Sequence, residues 1–447
     1  MFQSTEVSIS LNFSPESLAF INEYQSNRGS QFKEAYLPAD VTITLGEDVY
    51  EFPLSGVRMK GNTSRRHFLR GDDIYQPVHF KVNLKSTFDG EEYDTYPELT
   101  PFKKVWENEA ERKAQKKRNH FGIEKFDLKY VPRNRDTGSS CIAREIYAYD
   151  KFREADIPAP YANLCKTTIS NGISQQTYDY EIVECIDKEF LKRRFEGDDA
   201  KGDLYKCVYN GMGKADLTRD GAVTKTYDNG LSVGAAIRNG KIGVEDNYSY
   251  YEPVYQLKTN DDAGQDSDFS KMATYINGIW NVLYGGQGND LLESILDVDE
   301  FTRFSAVSYL LGNFDDQRYD ANNYYLYFVP STGKAIYIPY DWDWCLGLGD
   351  GFGLDTSRLK PNDEAKFNEG DVPNVYPATY FTSPRQGLTV DRSSYQQSYR
   401  TYVEQYRSSV LDYDGFVSCL TSYNAPYDEL DQVKSYMETK LQYAIFE

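Results

Sequence analysis

The sequence predicts an α+β fold, β-rich in its first part and mainly helical in its second. Three observations predict it. Alternating or β-branched runs fall before about residue 185 (41–45, 78–84, 164–169 and 177–184). Long runs with helical spacing come late, at 393–411 and 427–441. Between them lies one aromatic β-hairpin with an acidic border, residues 312–344.

Residues 1–56 form a small β-rich entry. Val41, Ile43 and Leu45 alternate, Gly46-Glu47-Asp48 turns the chain, and 49–52 return. Ser14-Pro15-Glu16 is a helix start with Pro at the first helical position. Residues 57–66 read as a strand ending in the turn Gly61-Asn62-Thr63-Ser64, where glycine allows close backbone approach to an anion and short side chains add donors. Arg58, Lys60, Arg65, Arg66 and Arg70 make this segment basic, although by itself such a turn is better explained as a solvated loop. The strand 78–84 carries Lys81, with Lys85 as an alternative. Residues 89–120 are charged, acids preceding bases at helical spacing, and read as a solvated helical insertion.

Residues 141–155 form an amphipathic helix with Ile142, Ile146, Tyr149 and Phe152 on one stripe; Ser139-Ser140 can cap it and the prolines at 158 and 160 end it. The strands 164–169 and 177–184 pair around Ser170-Asn171-Gly172. Asp299 can cap a helix that carries Phe301, Phe304, Ser308 and Leu311 on one side and stops at Gly312-Asn313.

Composition narrows the function. At 447 residues the chain can build a two-lobed domain, and 15% aromatic content with 39 Tyr and 24 Phe argues against disorder. The net charge of -20 argues against nucleic acid or an anionic membrane as partner. No apolar run reaches the roughly 18 residues that span a bilayer, and no signal peptide is visible at the start. Six scattered cysteines and three histidines give little support to zinc or Cys/His catalysis, and the scarcity of histidine excludes an H-R-D loop.

The acidic stretch carries the chemistry. Asp315, Asp316 and Asp320 precede the hairpin, Asp341 and Asp343 follow it, and Pro330-Ser331-Thr332-Gly333 turns it. A hairpin returns the chain, so the two acidic groups can approach, and clustered carboxylates call for a cation. The order Asp, Asn, hairpin, Asp is that of protein-kinase active sites: base, metal-binding Asn, hairpin, metal-binding Asp.

The motif LLGNFDD…NNYYLY…IPYDWDW resembles the signature of the spore-coat CotH kinases, an atypical branch of the protein-kinase-like fold, and the resemblance extends over about 57–354. It implies a kinase-like N-lobe over 57–185, including the charged insertion, with 1–56 belonging to that lobe, and a C-lobe over 186–447. It implies ATP with Mg2+ or Mn2+, and a protein substrate at an extracellular, cell or spore surface. Asp315 is then the base with Asp316 beside it; Asn322 or Asn323, Asp341 and Asp343 hold metal. The turn Lys60, Gly61, Asn62, Ser64, Arg65 covers phosphates, Lys81 contacts them, Glu145 partners Lys81, and Val183, Glu184 and Cys185 lie near the adenine. The blocks DLYKC and YQLKTN also match, without a role for Lys206 or Lys258. Two other classes stay open. The same fold can serve AMP transfer or ATP-dependent glutamylation, and a non-catalytic coat, adhesion or assembly protein can keep the acids for structure.

Overall fold

A computed structural model describes the chain except for residues 5, 62–63, 131–142, 209–214, 216, 218–254, 261–269, 285–287, 319–321, 349–354, 362–392, 423–429 and 446–447. The protein is mixed α+β and divides into two units: residues 1–142 with 161–189 and 422–425, and residues 143–160 with 190–421 and 426–447.

The first unit is a closed seven-stranded barrel. Its strands are β1 (Val7–Phe13), β2 (Leu37–Leu45), β3 (Asp48–Met59), β6 (Phe80–Asn83), β7 (Lys125–Tyr130), β8 (Ala162–Ser170) and β9 (Gln175–Glu184), with the short pair β4 (Leu69–Arg70) and β5 (Asp73–Ile74) outside it. The order is β1-β2-β3-β6-β7-β9-β8, closed by the parallel pairing of β1 with β8. Side chains alternate across a strand, so Ile9, Val41, Val57, Phe80, Val82, Phe126, Leu128 and Ile182 fall into one buried core. The helix Pro15–Tyr24 adds Leu18, Phe20 and Ile21 to it and is capped by Ser14, whose Oγ accepts the Ser17 N–H at 3.1 Å. The charged insertion contributes the helix Glu109–Lys116, capped by Asn108.

The second unit is built on the acidic hairpin. Strands β12 (Tyr324–Phe328) and β13 (Ala335–Pro339) are buried along their whole length, and β10 (Leu204–Cys207) and β11 (Tyr255–Leu257) extend them into a sheet of order β11-β10-β12-β13. The two sequence blocks that had no role, DLYKC and YQLKTN, are thus the flanking strands of this hairpin. The helix Val298–Leu311 lies against β13, with Phe301 and Phe304 at 4.8 and 5.6 Å from the Tyr337 ring. Asp297 caps this helix, accepting the Glu300 N–H at 3.1 Å; the expectation of Asp299 is corrected, because Asp297 has the extended backbone a cap needs. The helix ends at Gly312, at φ 64°, where a Cβ would lie 2.0 Å from the Tyr436 hydroxyl. Helices Ser393–Val410 and Leu430–Tyr443 match the late helical runs, and Tyr413–Ser422 adds a helix between them that spacing did not predict. No described helix is long and apolar enough to cross a membrane.

Glu300 is buried under β13, with Oε2 accepting the Tyr337 N–H at 3.1 Å and Oε1 without a partner among the described residues. Burial pushes its carboxyl well above the ordinary value of 4.5. The native state therefore holds this proton more tightly than the unfolded chain does. That stabilisation is full below the ordinary value and is lost as pH rises towards the native one. Glu300→Gln removes the effect, so wild type should lose melting temperature relative to the variant between about pH 5 and about pH 8. Melts that differ by the same amount at both pH values would contradict the burial of a titrating group. Gly312→Ala should cost about 1–3 kcal/mol in urea unfolding, from the left-handed φ and the Tyr436 clash together; a neutral result would mean that this helix end relaxes freely.

Candidate functional site

The acids on the two sides of the hairpin are held in different ways. Asp315 is half-buried, and both of its carboxylate oxygens accept amide N–H groups: Oδ1 from Asn322 at 2.9 Å and Oδ2 from Asn323 at 3.0 Å. Asn323 also donates to the Asp315 carbonyl at 2.9 Å, and the Asn313 side chain accepts the Asp315 N–H at 3.0 Å. The carboxylate is thereby fixed in orientation. Asp316 is only 1% exposed, and its Oδ1 accepts the Arg318 N–H at 2.8 Å, the contact of a residue that shapes a turn. Asp320 and the turn residue Asn62 lie outside the described residues.

Beyond the hairpin, Asp341 and Asp343 meet Glu145. The three offer carboxylate oxygens that all lie within 4.8 Å of one another, the group among the described residues suited to a metal ion. Glu145 comes from the helix Ala143–Glu154, where it is 2% exposed. Four residues on, Tyr149 stacks on the same helical face and donates its hydroxyl to Glu145 Oε1 at 2.6 Å. The same hydroxyl accepts the Asp341 N–H at 3.0 Å, and Glu145 Oε1 accepts the Trp342 N–H at 3.3 Å. Asp341 itself has φ 58°, a left-handed conformation that these contacts hold in place. Trp342 is fully buried, edge-on to Phe152 at 4.7 Å. Arg144 is also fully buried, donating to the carbonyls of Cys345, at 3.0 Å, and Leu346 and to Gln432 Oε1. Three carboxylate donors close together form a hard oxygen set that fits Mg2+ or Mn2+.

In the first unit the expected phosphate residues surround an acid that the sequence did not single out. Register places Asp127 on β7 opposite Lys81 on β6. Lys81 Nζ lies 3.3 Å from Asp127 Oδ1 and 3.2 Å from Cys185 Sγ, while Lys60 Nζ lies 3.0 Å from Asp127 Oδ2. Burial alone would raise the Asp127 carboxyl; Lys60 and Lys81 outweigh it and hold it far below the usual range. Burial would lower Lys81, and Asp127 outweighs that too, keeping the ammonium charged. Burial and then Asp127 push the Cys185 thiol up to about 12. Lys85, the alternative to Lys81, pairs with Glu124.

The basic turn is tied to protein atoms. Arg65 donates to the carbonyls of Gly61 at 2.6 Å, Gln25 at 2.9 Å and Lys33 at 3.4 Å, and Arg58 pairs with Glu34. Gly61 has φ 107°, and a Cβ there would lie 2.0 Å from Ser64 Oγ. Val183 and Glu184 are buried at the end of β9, and Glu184 Oε2 accepts the Tyr161 N–H at 2.9 Å. Lys81 and Glu145 belong to different units, and each has its own partners within its unit. Sequence reasoning passed over Asp127 and the hydroxyl of Tyr149. The signal for Asp127 is a lone acid between lysines on one face of the strand Lys125-Phe126-Asp127-Leu128-Lys129.

Tyr149→Phe removes a hydroxyl bonded on both sides, to a buried carboxylate and to the Asp341 N–H. It should cost about 1–3 kcal/mol in chemical denaturation. A variant as stable as wild type would show that the hydroxyl does not hold the loop.

Several comparisons with known proteins bear on the site. No curated protein matches the sequence. Among solved structures, the HipA–HipB toxin–antitoxin complex of Shewanella oneidensis MR-1 with its operator DNA is 12% identical, with a TM-score of 0.30, over 71% of this chain and 57% of that one. The Golgi casein kinase is 9% identical, with a TM-score of 0.29, over 71% of this chain and 67% of that one. Its structure with Mn/ADP bound is 9% identical over the same shares, with a TM-score of 0.23. The chain thus spans just over half the length of the toxin–antitoxin chain, and at these TM-scores the likenesses carry no argument. The CotH kinase protein profile, by contrast, matches residues 103–442, a span that includes the hairpin, its acids and the Glu145 helix. The chain belongs to the CotH kinase protein family.

Proposed function

We propose that this protein is an atypical protein kinase of two lobes that transfers the γ-phosphoryl group of ATP to a serine or threonine hydroxyl of a secreted, surface or coat protein. The observation that supports it best is the division of labour around the hairpin. Asp315 is oriented by two asparagine amides, and Asp341 and Asp343 converge with a buried Glu145, all within a family of kinases. Phosphoryl transfer demands little covalent chemistry of an enzyme, so orientation and charge neutralisation suffice.

Asp315 takes the proton of the attacking hydroxyl as its oxygen bonds to the γ-phosphorus and the bond to the β–γ bridging oxygen breaks. It suits that role better than Asp316, whose carboxylate is buried in a turn. Asn322 and Asn323 orient this base through their amide groups. Glu145, Asp341 and Asp343 would hold a divalent cation. That cation supplies positive charge to the phosphate oxygens. Glu145 and Tyr149 keep the Asp341 backbone in place for it. In the first unit, Lys60 and Lys81 would offer ammonium groups of the kind that neutralise phosphates.

The test incubates the purified chain and Mg2+ with candidate substrates and ATP labelled at the γ- or the α-phosphate, beside labelled glutamate. Label transferred from the γ-phosphate supports the kinase. Label from the α-phosphate assigns AMP transfer, and labelled glutamate assigns ligation. No transfer, with metal retained by the acids, assigns a structural role. Within the kinase, Asp315→Asn should keep Mg·ATP binding and lose about 10²–10⁴-fold in kcat. Asp341→Asn should lose metal-dependent nucleotide binding in calorimetry. Equal kcat in Asp315→Asn and wild type would transfer the role of base elsewhere.

A further inference from the structure

Strand register brings three cations to one acid in the first unit. Asp127 sits opposite Lys81 across β6 and β7, and Arg58 sits opposite Lys81 across β3 and β6. Lys60 follows β3 directly and is anchored by its N–H to the His79 carbonyl at 2.8 Å. The oxygens of Asp127 face different lysines, Oδ2 facing Lys60 and Oδ1 facing Lys81, and Oδ1 also accepts the Cys185 thiol at 3.6 Å. The carboxylate is 3% exposed as a residue, whereas the two lysine side chains keep 14% and 22%. The acid is sealed in, whereas both lysine side chains keep some exposure.

Such an arrangement has no obvious value for stability. A buried ion pair is commonly no better than apolar side chains of the same volume, which the rest of this wall uses freely. A bridging carboxylate does provide geometry. It fixes two flexible lysines next to each other and keeps Lys81 charged, and paired ammonium groups match adjacent phosphate oxygens. Cys185 does not compete for this role, since its thiol stays protonated beside Lys81.

We infer that Asp127 is a positioning residue: it bridges Lys60 and Lys81 and holds their ammonium groups side by side to receive a polyphosphate, without touching that ligand itself. This rests on the nucleotide reading above. The motif-implied partner of Lys81 was Glu145, and the cross-strand Asp127 supplies an orienting carboxylate from within the barrel wall.

The experiment measures Mg·ATP and inorganic tripolyphosphate binding by calorimetry, together with turnover, for the full chain and three variants. Lys81→Met should lose at least about tenfold in affinity for both ligands. Asp127→Asn removes the bridge and leaves the lysines, so affinity should stay within about threefold while kcat falls about 10–10²-fold. Asp127→Glu, which restores the carboxylate, should recover part of kcat. Because Asp127→Asn uncovers two buried charges, the charge-balanced double variant Lys60→Met with Asp127→Asn is measured beside it. A folded double variant with wild-type kcat, or Asp127→Asn with wild-type kcat and KM, overturns the proposal. A variant that only melts earlier, with unchanged kcat per folded molecule, assigns a structural role and overturns it equally. Tripolyphosphate bound through Lys81 without ATP binding would refute the nucleotide reading and leave the lysine bridge standing. Binding of neither ligand refutes both.

Discussion

The contact on which the second unit turns is the double hold of Glu145 and Tyr149 on the backbone of Asp341 and Trp342. One helical face presents a carboxylate and a hydroxyl four residues apart, bonded to each other and to two successive backbone N–H groups. That hold fixes Asp341 in a left-handed conformation, uncommon for residues other than glycine though aspartate tolerates it better than most. It also brings three carboxylates within reach of one cation. The helix cannot shift without moving the acids. Arg144, beside Glu145, adds a second tie to the carbonyls of Cys345 and Leu346, so the chain just past the hairpin is gripped at both ends.

The hairpin that carries these acids is buried along both of its strands. The pairing runs from Tyr324 opposite Pro339 to Phe328 opposite Ala335 across the short connection, and the flanking strands β10 and β11 complete the ladder on one side. The helix ending at Gly312 delivers the chain to Asn313 and Asp315 at a fixed angle, closed off by Tyr436 and Thr356 against that glycine. Asp315 is then oriented by side chains from the start of the hairpin itself. Asp315 and the three clustered carboxylates are thus hung from one piece of the fold, the condition that the proposed chemistry, which works by positioning, requires.

The first unit solves the opposite electrostatic problem. The chain carries a charge of -20, and yet its barrel wall gathers Arg58, Lys60 and Lys81 around one carboxylate. Asp127 pairs with both lysines and keeps Lys81 charged. The nearby arginines, in contrast, are committed to carbonyl oxygens and Glu34. The basic turn is therefore divided between arginines that hold carbonyl oxygens and Glu34 and a lysine that meets Asp127. Substituting Arg65 would remove structure before it removed any ligand contact.

How much of this was legible in the sequence depends on the range of the interaction. The β2–β3 and β8–β9 hairpins, the acidic hairpin, the Ser14 cap and the stop at Gly312 were readable, because turn residues, alternation and capping act within a few residues of chain. The candidate acids at the two ends of the hairpin stood out in the sequence by their order and by the motif they share with a family, whereas Glu145 was expected beside Lys81. Even locally the reading could slip by two residues, as at Asp297, where two neighbouring aspartates could each have capped one helix. What the tertiary structure alone decided is which acid meets which partner. Glu145 meets Asp341 and Asp343 across a long loop of chain, and Asp127 meets Lys81 only through strand register. Neither pairing has a local spacing that announces it. Burial then fixes the meaning of each: a carboxylate out of water must take the cation or the N–H that the fold puts beside it, and only the assembled fold says which.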